Sequence, residues 1–313
     1  MSQEVSLRET YGETLVALGK ENPNIVVLDA DLSKSTMTTY FAKEFPQRFF
    51  DCGIAEQNMV TIAAGMAASG KIPFASTFGV FLPGRCFDQV RMSIAYPHLN
   101  VKLVATHGGI SVGEDGASHQ SIEDLALINA LPGFNVIVPA DAIETAQAVR
   151  LAAATDGPFY IRVCRPKLPL LYDNSYRFNL GKAVTMREGK DITVIAIGLM
   201  VTAALEAAEN LKKEGIDCRV LNMPTLKPVD EAAIIKAASE TGVIVTAEEH
   251  LENGGLGSIV ARVVARHHPV PMEFVAIKDI YAKSGKANEL LVRYGLTAKD
   301  IAQAVHQVLK RKQ

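Results

Sequence analysis

Short runs of apolar residues alternate along the chain with longer stretches in which apolar positions recur at helical spacing. Alternation of buried strands with amphipathic helices is typical of parallel α/β architecture. The strands predicted in the first half are Ile25–Asp29, Pro73–Ser76, Val101–Thr106, Asn135–Val138 and Phe159–Arg162. The helices predicted between them are Glu56–Ser69, Gly84–Ile94 and Ala142–Ala154.

A segment without periodicity, Pro166–Phe178, follows this half and is interpreted as an interdomain linker. A second α/β unit comes after it. Its predicted strands are Ile192–Gly198, Cys218–Met223, Gly242–Glu248 and Phe274–Ile277. Its predicted helices are Val201–Glu214, Asp230–Glu240, Leu256–Ala265 and Ala298–Lys312. We therefore expect two α/β domains with parallel or mixed sheets, covering residues 1–172 and 173–313.

Composition narrows the class of protein. The 313 residues are 48% hydrophobic and 21% charged, which is typical of a globular chain, and the net charge is -2. This charge provides no electrostatic basis for binding nucleic acid or an anionic membrane surface. The apolar runs are too short to span a bilayer, and the N-terminus lacks the apolar core of a secretion signal.

The cysteines indicate the setting. Cys52, Cys86, Cys164 and Cys218 are scattered and form no CxxC pair, so neither a zinc site nor a disulfide framework is indicated. A reducing cytoplasm is the expected compartment.

Candidate chemistry is concentrated between Asp51 and Asp141. Glu56 begins a helix rich in small residues, where a lone acid usually just stabilises the helix dipole. Phe78 and Phe81 follow a predicted strand end, where they either stack on a flat ring or fill a core. Ligands of open α/β sheets bind outside the carboxyl ends of the strands, which favours the first interpretation.

The loop from Thr106 to Gln120 is glycine-rich and holds His107, His119 and Asp115. Loops of this composition at strand ends commonly form sites; the alternative is a solvated surface turn. It is not a nucleotide-binding phosphate loop, because no Lys-Ser/Thr follows the glycines, and the chain has no GxGxxG.

Taken together, several motifs closely resemble the pyrimidine-binding domain of the transketolase family. They are Ile-Ala-Glu-Gln at 54–57, Gly-Glu-Asp-Gly-Ala-Ser-His-Gln at 113–120, Pro-Ala-Asp at 139–141 and Cys-Arg at 164–165. The resemblance covers essentially the whole chain, including the C-terminal domain. It implies thiamine diphosphate as cofactor and ketol transfer between sugar phosphates, with pentose phosphate metabolism as the default setting.

The resemblance also implies roles for individual residues around the cofactor. Glu56 falls on the family's activating glutamate, which hydrogen-bonds the aminopyrimidine ring and must be buried to share a proton with it. Phe78 and Phe81 match the aromatic pocket around that ring, and Asp31 matches an acid beside the cofactor. A third aromatic residue of the pattern is replaced by Gly84, so a partner chain is expected to form that wall.

On the substrate side, Asp115 matches the acid that contacts the donor hydroxyl. His107 and His119 match histidines that line the sugar-phosphate channel, and they are the other catalytic candidates. The residues that match the terminal-phosphate site are Arg8, Ser35 and Arg165, with Arg162 as a secondary candidate. Forked guanidinium donors suit phosphate oxygens.

Enzymes of this family also hold the cofactor's diphosphate through Mg²⁺, with a Gly-Asp-Gly signature that does not occur in this sequence. Mg²⁺ needs oxygen ligands in octahedral positions, so acidic residues without that geometry cannot replace the site. The chain is therefore expected to be the C-terminal subunit of a split transketolase without a metal site of its own. A separate N-terminal subunit would supply the diphosphate and Mg²⁺ site, in an α2β2 assembly in which this chain also self-dimerises.

Three other interpretations remain open at this point. One is the β subunit of a 2-oxoacid dehydrogenase E1 component, against which the loop from His107 to His119 argues. A second is a deoxyxylulose-phosphate synthase-like enzyme, usually a single longer chain. The third is a scaffold that kept the fold and lost activity, against which the retention of Glu56, Asp115 and both loop histidines weighs.

Overall fold

The computed structural model describes residues 4–312, which form two α/β units with a two-stranded ribbon beside them. The strands of the first half are β1 (Glu4–Ser6), β2 (Ile25–Asp29), β3 (Phe49–Asp51), β4 (Ile72–Phe78), β5 (Lys102–Thr106), β6 (Asn135–Ile137), β7 (Phe159–Arg162) and β8 (Lys167–Pro169). Its helices are α1 (Leu7–Glu21), α2 (Ser33–Thr36), α3 (Thr39–Glu44), α4 (Glu56–Ala68), α5 (Pro83–Gln89), α6 (Asp124–Asn129) and α7 (Ala142–Ala154). Short 3₁₀ turns lie at Pro46–Arg48 and Ile110–Asp115, and a π-helical segment spans Val90–Ala95.

The second half completes the fold. Its strands are β9 (Val184–Arg187), β10 (Ile192–Ala196), β11 (Cys218–Asn222), β12 (Thr225–Lys227), β13 (Ile244–Leu251) and β14 (Met272–Ile277). Its helices are α8 (Met200–Lys213), α9 (Glu231–Thr241), α10 (Leu256–His267), α11 (Ala287–Arg293) and α12 (Ala298–Leu309). Four of the strands pair in parallel in the order β14-β13-β10-β11, and β9 adds antiparallel to β11.

The first sheet has the strand order β12-β6-β7-β5-β4-β2-β3, and all its pairings are parallel except that of β12 with β6. Strand β12 comes from the second half of the sequence, so the two halves share this sheet. The predicted class, two α/β domains with parallel or mixed sheets, is confirmed. The strands β2 and β7 have the predicted bounds because both are short, continuous apolar runs that are buried on both faces.

Helix α1 is absent from the sequence-based prediction. It buries Leu7, Tyr11, Leu15 and Leu18, which share one face at helical spacing, and the Ser6 hydroxyl caps its first turn by accepting from the Glu9 N–H. This helix brings Arg8 to the first sheet, and Tyr11 hydroxyl and Ser76 hydroxyl lie 2.6 Å apart.

The Pro166–Phe178 segment is more ordered than a linker without structure. Strand β8 lies within it and pairs antiparallel with β1, and the rings of Tyr172 and Tyr176 stack with centroids 3.9 Å apart. The Tyr176 hydroxyl donates to the buried carboxylate of Glu144 at 2.6 Å. Partners far away in sequence supply this order, so local periodicity does not reveal it.

Membrane crossing by a helix finds no support in the fold, since none of the helices between residues 4 and 312 combines the length and the apolar character that a span requires.

Candidate active site

The predicted site residues follow the carboxyl ends of neighbouring parallel strands. Phe78 ends β4, His107 follows β5 and Asp31 follows β2, so the three loops meet at one edge of the first sheet. Asp31 and His107 both have left-handed backbone conformations, with φ of 60° and 58°. Such conformations are uncommon for residues other than glycine and cluster at functional sites.

Glu56 is the first residue of α4, and only 3% of its surface is exposed. Its Oε1 atom accepts a hydrogen bond from Arg85 Nη1 at 2.8 Å. The N-terminus of a helix also favours an anion at this position. The burial that the implied role of Glu56 requires is therefore present.

Arg85 is a residue that the sequence analysis missed. Its guanidinium lies 4.3 Å from the centroid of the Phe81 ring as well as beside Glu56, so it joins the carboxylate to the aromatic wall. A Cβ atom on the neighbouring Gly84 would meet no atom within 4 Å, which leaves this side of the site open. The sequence offered a single signal for Arg85, its position directly after Gly84.

The aromatic residues and the loop histidines form one continuous cluster of rings, although Phe78 and His107 lie 29 positions apart in sequence and Phe81 and His119 lie 38 apart. The rings of Phe78 and Phe81 are nearly parallel, with centroids 5.9 Å apart, and the His107 ring stacks on Phe78 at 3.8 Å. His119 meets the edge of Phe81 at 5.3 Å. We call these four residues the aromatic wall. A flat, partly apolar ring fits such a surface.

His107 is buried, and its Nδ1 atom lies 2.9 Å from the Thr106 hydroxyl. Burial, and then the charges of Arg8, Arg165 and His119, lower the pKa of His107 to about 3. The imidazole is therefore neutral near pH 7 and is available as a hydrogen-bond partner rather than as a cationic acid. His119 is partly exposed, and its Nδ1 atom lies 2.9 Å from the Ser118 hydroxyl.

Arg8 and Arg165 lie close enough for their charges to interact. Burial, and then the charge of Arg165, lower the pKa of Arg8. Arg8 Nη1 donates to the Ser35 carbonyl at 2.6 Å, and its Nε atom is buried without a hydrogen-bond partner among the described residues. Two guanidiniums whose charges interact, one of them with an unpaired buried donor, have the chemistry that an anion requires.

Asp115 lies beside this pair, with its Oδ2 atom 3.4 Å from Arg165 Nη1. Both side chains are about two-fifths exposed, so the ion pair is screened by solvent and leaves both groups accessible. Arg165 also donates to the Val112 carbonyl, which ties it to the loop that carries Asp115.

Two predicted residues differ in their surroundings from this cluster. The Asp31 N–H donates to Asp51 Oδ1 at 3.1 Å, and the exposed Asp31 carboxylate has no hydrogen bond or ion pair to another described residue. Arg162 is buried, with Nε 2.9 Å from the Asp124 carboxylate and Nη2 bonded to the carbonyls of Ser121 and Glu249. Arg162 therefore holds protein segments together, and its guanidinium is not free for a phosphate.

The second domain also supports the loop that carries His107 and Asp115. The Glu249 carboxylate accepts from the Ser111 N–H at 2.6 Å and also from the Ile110 N–H. A Cβ atom on Gly109, which has φ of 84°, would lie 2.1 Å from Glu249 Cδ, so only glycine fits there. Because 138 residues separate Ser111 from Glu249, no sequence pattern marked this contact.

The Glu249→Gln substitution is expected to lower the free energy of unfolding by about 1–3 kcal/mol. Glutamine keeps one acceptor oxygen but turns an N–H₂ group towards a backbone N–H of the loop, which leaves buried donors unpaired. Urea unfolding of the full chain measures the loss, and the exposed Glu13→Gln on α1 is the matched control.

The difference in free energy of unfolding between the native protein and Glu249→Gln should also depend on pH. Burial raises the pKa of Glu249 from 4.5 to about 7. A raised folded-state pKa means that the contribution of this group to stability is complete below about 4.5 and falls as the pH rises through about 7. The advantage of the native protein over Glu249→Gln should therefore shrink across this window. A difference that stays constant or grows would show that Glu249 does not titrate in this way.

None of the clusters of His, Cys, Asp and Glu within residues 4–312 has the three or more ligands of a metal site. The site thus combines a buried carboxylate, an aromatic wall and a cationic pair. These groups can bind a flat ring at one end and an anionic group at the other.

Comparison with known protein families identifies both halves of the chain. Residues 3–169 match the family model described as the transketolase pyrimidine binding domain, and residues 181–301 match the transketolase C-terminal domain. The Methanocaldococcus jannaschii protein described as "Putative transketolase C-terminal section" is 47% identical over 308 residues, which cover 97% of this chain and 96% of that protein.

Two further proteins match this chain over nearly the whole length of both chains. The 6-deoxy-6-sulfo-D-fructose transketolase subunit SqwH of Clostridium sp. (strain MSTE9) is 42% identical, over 98% of this chain and 95% of that protein. A solved structure of a split-gene transketolase, described as an inactive β4 tetramer, superposes with a TM-score of 0.93 at 51% identity and covers 99% of this chain and 100% of that one. The chain therefore belongs to the transketolase family, as a C-terminal section of the split type.

Proposed function

We propose that this chain is one subunit of a thiamine-diphosphate-dependent transketolase, which moves a two-carbon ketol unit from a ketose phosphate to an aldose phosphate. The observation that carries the proposal is the convergence of buried Glu56, the aromatic wall and the Arg8–Arg165 pair at one sheet edge. The chain would bind the aminopyrimidine end of the cofactor. A separate subunit would bring the diphosphate and Mg²⁺ site, in an α2β2 assembly that includes self-dimerisation of this chain.

The residues present fit an aminopyrimidine ring. Phe78 and Phe81 offer a nearly parallel pair of rings against which it can pack, and the Glu56 carboxyl, buried beside them, can share a proton with a ring nitrogen. Arg85 Nη1, 2.8 Å from Glu56 Oε1, would hold that carboxyl in position. Thiamine diphosphate, when bound, supplies the carbon nucleophile of the reaction. We assign Asp31 a place beside the cofactor from its position at the same edge.

Substrate would lie between the aromatic wall and the cationic pair. We assign Asp115 to the donor hydroxyls, and neutral His107 and partly exposed His119 to hydrogen bonds with the sugar oxygens and to proton movement there. Arg8, Ser35 and Arg165 would receive the terminal phosphate, with the unpaired Arg8 Nε as one donor and Ser35 holding Arg8 through its carbonyl.

We also propose where the two domains begin and end, and in which metabolic context the protein acts. Residues 1–172 would form the pyrimidine-binding domain and residues 173–313 the C-terminal domain, which supports the substrate loop through Glu249. Pentose phosphate metabolism in the cytoplasm is the proposed context, and the four cysteines are all free thiols, as a reducing compartment would keep them.

The experiment that tests the proposal is reconstitution. The purified chain alone should bind thiamine diphosphate weakly and show no ketol transfer, because the sequence has no Gly-Asp-Gly diphosphate site. Addition of the separately purified diphosphate-binding subunit with Mg²⁺ should restore transfer, measured by formation of the new ketose phosphate. Strong activity of this chain alone would contradict the requirement for a second subunit.

The donor panel should include ketose phosphates and 6-deoxy-6-sulfofructose, since one relative is named for that substrate. It should also include 2-oxoacids, which a dehydrogenase β subunit would serve. Decarboxylation of a 2-oxoacid without ketol transfer would show that the chain is a dehydrogenase β subunit and not a transketolase subunit.

A further inference from the structure

A second concave surface lies away from the sheet edge described above, where the two halves of the chain meet. This interdomain cleft has a volume of about 830 Å³ and is lined by α6, by β12 and the segment after it, and by α10. The volume is within the range of small-molecule sites, and far exceeds that of a single bound ion.

Two cations face the interdomain cleft. Lys227 Nζ donates to the carbonyls of Asn129 and Leu131, which hold its ammonium group in place. The side chains of Lys227 and Arg262 line the same cleft, and burial, then the charge of Arg262, lower the pKa of Lys227. Within residues 4–312, no carboxylate lies within 4 Å of either side-chain charge.

A polar group without a partner lies behind the wall of the cleft, and its side chain must rotate to reach a ligand there. Both side-chain atoms of Asn129, the amide nitrogen and the oxygen, are buried and make no hydrogen bond with the described residues. An unsatisfied buried amide is destabilising, and a ligand that pairs with it would relieve that cost. Water can satisfy an amide, but it does not neutralise two cations that line the same cleft.

One acid also lines the cleft. Glu231 lies 3.9 Å from His267 Nε2, which partly offsets its charge whenever that imidazole is protonated. The rest of the lining includes apolar side chains, among them Leu226, Val229 and Ile259. The cleft therefore offers two cationic side chains, apolar walls and, on rotation of Asn129, an amide.

We propose that the interdomain cleft is a second ligand site, which binds a small phosphorylated molecule with an apolar or ring-shaped body. Its phosphate group would contact Lys227 and Arg262, and the Asn129 side chain would rotate towards the cleft to hydrogen-bond the same group or its neighbour. The guanidinium of Arg262 suits phosphate oxygens through its forked donors. Helix α6, which lines this cleft, directly follows the loop that carries His119, so one short segment of the chain connects the two sites.

Calorimetric titration of the full chain with phenyl phosphate tests the proposal without an activity assay. The titration is done in an Arg165→Ala background, which weakens the anion site at the sheet edge. Addition of Arg262→Ala should weaken the remaining binding by roughly tenfold or more, as expected for loss of a charge-assisted contact. Addition of Arg266→Ala, an exposed residue on the same helix, should leave it unchanged.

Asn129→Asp provides a second variant of nearly identical shape, which adds a negative charge to the cleft and should also weaken binding. The proposal is overturned if the Arg165→Ala chain does not bind phenyl phosphate, or if Arg262→Ala and Asn129→Asp both bind it as tightly as their background. Neither result bears on ketol transfer, so failure of this inference is distinct from failure of the proposed function.

Discussion

Replacing Glu56 with Gln should lower the turnover number of the assembled enzyme by roughly 10²- to 10⁴-fold, the range of a lost general acid–base group. Glutamine keeps the volume of the side chain, and its oxygen can still accept from Arg85 Nη1, so the local structure is preserved. It cannot share a proton with the ring nitrogen of the cofactor. The effect should therefore fall on kcat, with little change in KM.

The matched control is Glu13→Gln, which removes an exposed carboxylate from α1 and should leave turnover unchanged. Assembly with the second subunit, measured by size-exclusion chromatography, should be the same for both variants. If Glu56→Gln turns over at close to the native rate in an intact assembly, Glu56 does not have the proposed role.

The Arg165→Ala substitution should raise the KM for phosphorylated substrates by roughly 10- to 150-fold, which corresponds to the loss of about 1.5–3 kcal/mol from a charge-assisted contact. The KM for an unphosphorylated aldehyde acceptor should change little, since such an acceptor has no group at that position. Steady-state kinetics with matched acceptors, with and without the terminal phosphate, measures this split.

Asp115→Asn is the companion variant, because it removes the charge that faces Arg165 without removing the guanidinium. It should alter discrimination between donor epimers and preserve the preference for phosphate. Arg266→Ala controls for the loss of a surface cation. Equal rises in KM for the phosphorylated and unphosphorylated acceptors in Arg165→Ala would exclude this arginine as a phosphate ligand.

Much of the fold was predictable because its strands are short continuous apolar runs and its longer helices have regular apolar spacing. The bounds of β2, β7 and α7 agree with the prediction, and others differ by a few residues at their ends. Short elements such as β1, α2 and β12 were missed, since three or four residues are too few to show a periodic pattern of apolar positions. The predicted helix Gly84–Ile94 is divided, because Cys86 leaves helical geometry and a π segment follows.

The sequence likewise predicted some residues of the candidate site and missed others. Local motifs marked Glu56, Phe78, Phe81, His107, His119 and Asp115, since each lies in a distinctive run of letters next to a strand or helix end. Arg85, which bonds Glu56, and Glu249, which anchors the loop, were missed. Arg162 was placed with the phosphate group because of its proximity in sequence, whereas it binds Asp124 inside the protein.

By itself, the sequence determined the fold class and the family resemblance, because these depend on periodicity and on motifs, and the missing Gly-Asp-Gly motif led to the prediction of a diphosphate site on a separate subunit. Only the tertiary structure decided which charges meet. The pairing of Arg8 with Arg165, the neutrality of His107 and the interdomain cleft all depend on burial and on distances between residues far apart in the chain. Electrostatic interactions change steeply with separation and desolvation, and neither quantity can be read from residue order.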